Sequence, residues 1–174
     1  MIDQSFRILG IDPGLSGACA LLGDGILEII DIPTIERKVG GKTKRQIDAY
    51  NLSLWLEFHR LRISLAVIEQ VGTMPGQGVT SAFNFGFTTG VIHGILANIG
   101  VPIRTVVPQV WKRKFGLLGQ DKDASRQEAS RRLPKFASNW PLKKHDGRAE
   151  AALLAIYGQG LRRAEVPLSY GGTD

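Results

Sequence analysis

Short apolar runs separated by turn residues dominate the first part of the chain, a pattern typical of β-strands. Residues 6–11 (FRILGI) form such a run, which ends at the sequence DPG over 12–14. Two further runs, 18–22 and 26–32, flank the sequence GDG over 23–25, and an Asp-Gly pair between apolar runs indicates a tight hairpin. The pattern therefore predicts three consecutive strands in antiparallel order.

Farther along the chain, apolar residues recur every three or four positions, which indicates helices. A basic, glycine-containing loop over 36–46 precedes an amphipathic helix over 47–60. The apolar face of this helix is expected to carry four residues: Leu52, Trp55, Leu56 and Phe58. Residues 65–68 then predict a short buried strand that ends at Glu69, and residues 72–78 predict a loop.

The second half of the chain continues to alternate between helices and strands. Residues 79–99 predict a buried helix, and residues 101–107 predict a strand. Three helices follow: one that begins at Pro108, a basic one over 123–133, and a final one over about 146–162. The element order βββ-α-β-α-β-α-α predicts a mixed α/β domain. We expect one domain over residues 1–174, with its core over about 6–164.

Glycine recurs every four residues along the helix predicted over 79–99, at Gly86, Gly90 and Gly94. Each glycine in a helix costs about 1 kcal/mol relative to alanine, so such a row suggests that another element packs very close to it. That element is either the sheet of the same chain or a helix of another subunit. The sequence leaves both alternatives open.

The net charge of +6 is concentrated in two segments. Residues 36–46 hold five basic residues and one acidic residue, and residues 111–150 hold eleven basic and five acidic residues. An excess of this kind favours a polyanionic partner, with nucleic acid first and a membrane surface second. A solvated basic surface without a partner is the alternative.

Composition excludes several other classes of protein. The one cysteine, Cys19, excludes an intramolecular disulfide framework and a cysteine-rich zinc site, and its apolar surroundings predict a core thiol. The first residues lack the basic flank and long apolar stretch of a signal peptide. Residues 78–103 carry no charge, but polar residues and glycines interrupt them and Pro102 ends the stretch. We therefore expect a soluble, cytoplasmic protein with no membrane partner.

Acidic residues occur where apolar elements end. Asp12 follows the first strand and Glu69 follows the strand over 65–68. On the last helix, Glu150 shares a face with Leu153, Leu154 and Tyr157, and Asp146 precedes it by about one turn. An unpaired carboxylate on such an apolar face is costly.

A structural role is open to most of these acids. Asp12 could cap a turn, Glu69 could pair with an arginine, and Asp146 could cap the last helix. Taken together, however, a carboxylate cluster beside basic segments suits metal-assisted hydrolysis of phosphodiesters. Magnesium prefers such oxygen ligands, and two ions would make a side-chain nucleophile unnecessary.

The three histidines do not form a metal-binding motif. His59 is expected on a helix surface, and His93 lies in the glycine-rich helix. His145 differs because it adjoins Asp146, where it could act as a general acid or base or orient a water molecule.

Three segments of the chain occur in the order of a known family: ILGIDPGLSG (8–17), AVIEQV (66–71) and HDGRAEAALLAIYG (145–158). In these three segments, the chain resembles the RuvC-type Holliday junction resolvases of bacteria and phages. The stretches AFNFGFTTGVIHGIL and VPIRTVVPQVWK resemble the family's central helix and the strand after it. The resemblance extends over roughly residues 7–160. It implies an RNase H-like fold with a mixed five-stranded sheet, three antiparallel strands followed by parallel strands, flanked by helices.

The resemblance also implies a mechanism and an assembly. Its members are homodimers that nick four-way junctions in pairs of incisions with Mg²⁺ or Mn²⁺. Asp12, Glu69, Asp146 and Glu150 match the family's metal-binding acids, and Lys122 matches a lysine near the scissile phosphate. Two Mg²⁺ ions are therefore expected, with Mn²⁺ able to substitute.

This chain departs from the family pattern at two places. The two helix acids are four residues apart instead of three, although both spacings keep them on one face. Gly72 stands where bacterial members carry an aromatic residue that stacks on junction bases. Met74 or a more distant residue would then take that role, or the junction would be opened in another way.

The leading hypothesis is a homodimeric endonuclease that resolves four-way junctions. A second hypothesis keeps the nuclease but directs it to flaps, branched replication intermediates or RNA–DNA hybrids, and a third is a non-catalytic junction-binding protein. An actin-like ATPase, which shares the acid-glycine turn, is a disfavoured fourth hypothesis, because 174 residues leave no room for a second lobe. The basic residues expected to follow DNA phosphates are Arg37, Lys38, Lys42, Lys44, Arg45, Lys112, Arg113, Lys114, Lys122, Arg126, Arg131, Arg132, Lys143 and Lys144.

Overall fold

The structure is a computed structural model that describes residues 6–70, 72 and 78–165. The strands are β1 (Arg7–Ile11), β2 (Ala18–Gly23), β3 (Ile26–Asp31), β4 (Thr34–Val39), β5 (Lys42–Ile47), β6 (Ile63–Glu69) and β7 (Ile103–Val106). The helices are α1 (Ala49–His59), α2 (Val79–Asn98), α3 (Pro108–Lys114), α4 (Lys122–Arg132) and α5 (Asp146–Glu165). Short 3₁₀ turns over 60–62, 134–139 and 143–145 connect some of them.

Five of the strands form one mixed sheet in the order β3-β2-β1-β6-β7. The pairs β1–β2 and β2–β3 are antiparallel, whereas β1–β6 and β6–β7 are parallel. Asp24 and Gly25 have φ angles of 53° and 72°, the left-handed backbone that a tight hairpin between β2 and β3 requires. The sheet confirms the predicted fold class, with three antiparallel strands followed by parallel strands.

The two faces of the sheet are covered by different helices. Ile8 on β1 and Val67 on β6 pack with the buried side chains of α5, including Leu153 and Leu154. On the other face, Leu9 and Ile11 pack with α1 and α2. Apolar side chains on both faces explain why β1 and β2 are buried along their whole length.

Helix α5 lies against β1 at backbone distance. A Cβ atom on Gly10 would come within 2.0 Å of the Ala151 carbonyl oxygen and 2.4 Å of the Ala155 backbone nitrogen. Glycine at this position therefore lets the strand and the helix touch with no side chain between them. As a consequence, the first turn of α5 lies at the end of β1.

The prediction of a basic loop over residues 36–46 is wrong. These residues belong to a second, two-stranded sheet in which β4 and β5 pair in antiparallel order. Gly40 and Gly41, with φ angles of 57° and 75°, form its two-residue turn. The strands carry many charges and bury little apolar surface, so the hydrophobic pattern did not indicate them.

The expectation that α2 is a buried helix is also wrong for this chain. Thr88, Ile92 and Leu96 are buried toward the sheet, but Phe83 on the opposite side is 71% exposed. A Cβ atom at any of the glycines at 86, 90 and 94 would meet no atom within 4 Å in the described part of the chain. Close packing of this glycine row against the sheet of the same chain is therefore ruled out.

Asp48 caps the amino end of helix α1, and its side chain accepts a hydrogen bond from the Asn51 backbone N–H at 3.1 Å. Leu52, Leu56 and His59 face the sheet, so the predicted surface position of His59 is wrong, and Phe58, predicted on the apolar face, is 75% exposed. The buried residues follow the i, i+4, i+7 spacing of one helix face. Residue 59 lies on this face, whereas residue 58 lies on the solvent side.

Other predictions from composition can be compared directly with the structure. Cys19 is fully buried, as predicted. None of the described helices combines the length and the apolar character that crossing a bilayer requires. Most of the loop predicted over 72–78 lies outside the described residues, and so does Met74.

Candidate active site

Two of the candidate acids lie side by side at one edge of the main sheet. Asp12 directly follows β1, and Glu69 is the last residue of β6. These strands are parallel neighbours, with Ile11 opposite Ile68. The carboxyl ends of the two strands therefore bring both acids to the same edge, as the sequence predicted from their positions after apolar runs.

Helix α5 brings its amino-terminal end to the same place, with Asp146 in its first turn and Glu150 about one turn farther on. Gly147 makes this approach possible, because a Cβ atom there would lie 2.7 Å from the Ser16 carbonyl oxygen and 3.1 Å from Asp12 Oδ2. Gly147 was not singled out from the sequence. Its signal was a glycine between two acids inside a helix, where glycine otherwise lowers stability.

The Asp12 carboxylate lies in a strongly perturbing environment. The pKa of Asp12 is raised to about 7, mainly by burial and then by the negative charges of Glu150 and Glu69, with Asp146 contributing least. The Gly14 backbone N–H, which donates to Asp12 Oδ1 at 3.2 Å, acts in the opposite direction. A buried carboxyl group whose charge is stabilised by so few hydrogen bonds or positive charges is typical of a functional site.

Glu69 is held by an indole. The Nε1–H of Trp111 donates to Glu69 Oε1 at 3.0 Å, and Trp111 is completely buried. Burial raises the pKa of Glu69, while the hydrogen bond from Trp111 opposes that rise. Sequence reasoning missed Trp111, because a tryptophan in a short helix looks the same whether it fills the core or orients a carboxylate.

Glu150 has two polar partners from neighbouring helices. Ser125 of α4 donates from Oγ to Glu150 Oε1 at 3.0 Å, and the Lys112 ammonium of α3 lies 3.0 Å from the same oxygen. Ser125 is buried and was not anticipated from the sequence. Lys112 was expected to follow DNA phosphates, but the structure places its ammonium group against a carboxylate of the candidate site.

Asp146 and His145 form hydrogen bonds with nearby backbone groups. Asp146 accepts a hydrogen bond from the Gly147 backbone N–H at 3.0 Å, and the Nδ1 atom of His145 accepts one from the Leu142 backbone N–H at 3.4 Å. Burial and then the charge of Arg148 lower the pKa of His145. Lys122 is the first residue of α4.

The carboxylates approach one another without converging on a point. Among the residues that the structure describes, no three His, Cys, Asp or Glu side chains are close enough to form a ready-made metal site. The chemistry of the donors nevertheless fits a hard divalent cation, because all four candidates offer carboxylate oxygens. The ammonium of Lys112 against Glu150 shows that a positive charge is accommodated here.

The predicted DNA-contacting residues divide into exposed and internally paired groups. On α4, Arg126 lies 2.7 Å from Asp123, and both Arg131 and Arg132 bond Glu128. The hairpin residues and those at 143 and 144 are exposed, as are Arg113 and Lys114 on α3. Salt bridges on α4 therefore neutralise part of the basic segment over 111–150.

A mixed sheet in this order, with helices on both faces, is the RNase H-like fold that the resemblance implied. A structure of Thermus thermophilus RuvC in complex with a Holliday junction substrate superimposes with a TM-score of 0.58, over 92% of this chain and 96% of that one, at 16% identity. A second RuvC structure from the same organism gives a TM-score of 0.52 at 17% identity. These similarities confirm the RNase H-like fold.

Sequence comparisons give the same result. The chain is 28% identical to the crossover junction endodeoxyribonuclease RuvC of Chloroflexus aurantiacus over 154 residues, which is 86% of this chain and 90% of that protein. It is 32% identical over 94 residues to the chloroplastic Holliday junction resolvase MOC1 of Chlamydomonas reinhardtii, but that match spans 11% of the algal protein. A scan against models of protein families gives no match. The resemblance to RuvC-type resolvases is thus confirmed.

Proposed function

We propose that this protein is a structure-selective DNA endonuclease that resolves four-way (Holliday) junctions by paired, metal-dependent hydrolysis of phosphodiesters. The observation that carries the proposal is the meeting of Asp12, Glu69 and the first turn of α5 at one edge of the sheet. The similarity to RuvC over most of the chain supports the choice of substrate. We also propose that the chain acts as one nuclease domain and works in the cytoplasm, where it meets DNA.

The residues of the site have distinct roles in this proposal. Asp12, Glu69, Asp146 and Glu150 would hold two Mg²⁺ ions, with Mn²⁺ as a substitute. When bound, such ions activate the attacking water and neutralise charge on the phosphate. Trp111 and Ser125 fix the orientation of two of the carboxylates by hydrogen bonds, and Lys122 would lie near the scissile phosphate.

The exposed basic residues would hold the DNA by its phosphates. Contacts of this kind position a duplex without reading its sequence, and they make affinity fall as salt increases. The hairpin of β4 and β5 and the exposed part of the 111–150 segment lie on elements next to the acids. Arg45 joins them directly, since it donates to the Leu15 carbonyl and to Ser16 Oγ in the turn after Asp12.

A homodimer completes the proposal, because two symmetric incisions need two active sites. The glycine row of α2 meets nothing within the described chain, and a second copy could approach it closely. Light scattering at micromolar protein concentration is expected to give twice the mass of one chain. A monomer under all conditions would refute this part of the proposal.

The decisive experiment is a cleavage panel with matched four-way junctions, flaps, RNA–DNA hybrids and linear duplexes in Mg²⁺ or Mn²⁺. We expect paired nicks in the junction at a rate at least about tenfold above the rate for any other substrate, and no cleavage in EDTA. Equal cleavage of flaps or hybrids would favour a different nuclease substrate. Tight junction binding without cleavage in either metal would indicate a non-catalytic junction-binding protein.

A further inference from the structure

An ion pair lies beside the candidate site, at the amino-terminal end of α5. Arg148 is the basic residue between Asp146 and Glu150 in the sequence, and each nitrogen of its guanidinium donates a hydrogen bond. Nε and Nη2 donate to the two carboxylate oxygens of Asp31, both at 2.6 Å, and Nη1 donates to the Asn139 carbonyl oxygen at 3.1 Å. Two parallel bonds between planar groups fix a direction as well as a distance. We call this pair the Arg148–Asp31 clamp.

The clamp and the acids of α5 lie on opposite sides of the helix. Asp146 and Glu150 are about one turn apart and share one side. Arg148 is two residues from each of them, which is about 200° around the helix axis. A rotation of the helix that pulled Arg148 away from Asp31 would therefore move both carboxylates.

Between these two sides, α5 touches the sheet by its main chain. Gly147 lies against the backbone of Ser16 and Gly17, and the backbone of Ala151 lies against Gly10. Contact between main chains fixes how close the helix comes to the strand. Without interlocking side chains at this end of the helix, such contact restrains rotation about the helix axis only weakly. The clamp supplies a restraint on rotation, at one flank of the contact.

The residue that α5 is clamped to belongs to the same part of the sheet as Asp12. Asp31 is the last residue of β3 and lies opposite Ala18 in the register of β2 with β3. The Asp12 backbone N–H donates to the Ala18 carbonyl oxygen at 3.0 Å, and the Ile32 N–H donates to the Gly17 carbonyl oxygen at 3.0 Å. The clamp therefore ties the helix that carries two acids to the backbone that carries a third.

Stability by itself is a weak reason for the clamp. The Asp31 side chain is 58% exposed and the Arg148 side chain is 29% exposed. Ion pairs that are open to water contribute little to the free energy of unfolding. The fixed direction of the paired hydrogen bonds is the stronger reason, because it orients the helix end that carries the acids.

We propose that Arg148 and Asp31 are positioning residues: their clamp sets the rotation of α5 and so holds its two acids against those at the sheet edge. The inference rests on the proposed function, which assigns these acids to a metal site. Neither clamp residue touches the metal or the DNA in this role. Without the clamp, the helix end rotates, and the acids offer a divalent cation a less complete set of oxygen ligands.

The first test measures binding of Mn²⁺ alone to the full-length protein, without DNA, by electron paramagnetic resonance of the unbound ion. Asp12→Asn identifies the binding that belongs to the site. We expect Asp31→Asn and Arg148→Gln each to lower the affinity of that site for Mn²⁺ about tenfold, the lower range for outer groups that orient metal ligands.

The two clamp variants change the charge near the site in opposite directions. Asp31→Asn removes a negative charge, and Arg148→Gln removes a positive charge. A general effect of charge would therefore weaken Mn²⁺ binding in the first variant and strengthen it in the second. Loss of positioning weakens binding in both, and the double variant should lose about tenfold as well, because the two residues act as one unit.

Junction cleavage gives a second readout. In both single variants the Mn²⁺ concentration for half-maximal rate should rise about tenfold, while the rate at saturating Mn²⁺ stays within about threefold of wild type. The matched control is Arg7→Met at the other end of β1, which also removes an arginine paired with a partly exposed acid, Glu28. This control should bind Mn²⁺ with wild-type affinity, although it lowers the stability of the fold.

Three results would overturn the clamp as a positioning device. Opposite changes of Mn²⁺ affinity in the two single variants would assign the effect to charge. Wild-type Mn²⁺ affinity with weaker junction binding in Arg148→Gln would assign the arginine to DNA contact, and wild-type values of both would leave the pair a role in folding alone. Failure of the wild-type protein to show Mn²⁺ binding that Asp12→Asn removes would instead refute the metal site of the proposed function, and the clamp with it.

Discussion

The two ends of strand β1 each hold a cluster of charged side chains, and the clusters are built in opposite ways. At the amino end, Arg7 is 7% exposed and lies 2.5 Å from Glu28 and 3.6 Å from Asp24. His59 lies 3.6 Å from the same glutamate. At the carboxyl end, Asp12 is buried, and the charges that act on it are those of other carboxylates, Glu150, Glu69 and Asp146.

The difference separates charges that are paired within the fold from charges that, in the proposed function, serve a reaction. At the amino end, the buried Arg7 guanidinium has two acids of opposite charge, Glu28 and Asp24, as its partners. At the carboxyl end, like charges are held together at a cost in stability, with the Lys112 ammonium on Glu150 as a partial balance. A protein that keeps such a cost is using the group for something other than folding.

The largest expected effect is that of Asp12→Asn. It should reduce junction cleavage by about 10³-fold or more, because a carboxylate that would hold the metal is lost. In EDTA it should nevertheless stabilise the protein. The pKa of Asp12 is raised from 3.8 to about 7, so the folded wild-type chain binds more protons than the unfolded chain between these values, and its stability falls as pH rises through that range.

Urea denaturation from pH 4 to pH 8 measures this effect. The free energies of unfolding of the two proteins should diverge on the order of 2–4 kcal/mol by pH 8, in favour of Asp12→Asn. Asp31→Asn is the matched control, since its hydrogen bonds to Arg148 lower the pKa of Asp31, and that variant should lose stability at neutral pH. If the free energies of unfolding of wild type and Asp12→Asn change with pH in parallel, the Asp12 carboxylate does not destabilise the folded protein as expected.

A smaller effect is expected when the amino end is disrupted. Arg7→Met keeps the aliphatic part of the side chain but leaves Glu28 without its 2.5 Å partner. We expect a loss of about 2–3 kcal/mol in the free energy of unfolding, below the cost of breaking a fully buried pair because Glu28 is partly exposed. The rate of junction cleavage per folded molecule should stay at the wild-type value, and a drop above about threefold would mean that the two ends are coupled.

The smallest effect concerns the orientation of Glu69. Trp111→Phe removes the N–H that donates to its carboxylate, and we expect kcat for junction cleavage to fall about tenfold, with more Mn²⁺ needed for half-maximal rate. Trp140→Phe is a close control, because Trp140 is also buried and its Nε1–H donates to Ser130 Oγ at 2.8 Å. Equal losses of stability, with kcat reduced in Trp111→Phe alone, identify a positioning role. Equal kcat in both variants would leave Trp111 as a core residue.

The main sheet was predictable because its strands have a strong local signal. Runs such as 6–11 are apolar throughout, and the GDG sequence over 23–25 has the backbone freedom that a tight turn requires. The β4–β5 hairpin was missed because its residues are mostly charged, and its pairing depends on backbone hydrogen bonds that no hydrophobic pattern reveals. The exposure of α2 was not predictable either, because it depends on which other elements or chains pack against the helix, and the sequence of the helix does not specify them.

The acids of the site were predictable for a different reason. A carboxylate directly after a buried strand has few structural explanations, and parallel strands place such residues together. The groups that hold them were not predictable. Trp111 and Ser125 act across distances of 42 and 25 residues in sequence, and a tryptophan or serine at such a position carries no distinguishing local pattern.

The contact between Gly10 and Ala151 has an evolutionary consequence. Because main-chain atoms touch there, the separation between the end of β1 and the first turn of α5 depends on covalent geometry, and the packing of core side chains has little influence on it. The surrounding core can therefore exchange its residues over long lineages while the acids stay in place. Such tolerance is compatible with a shared fold at 16% identity with the Thermus protein. It also makes Gly10, two residues before Asp12, one of the positions least free to change.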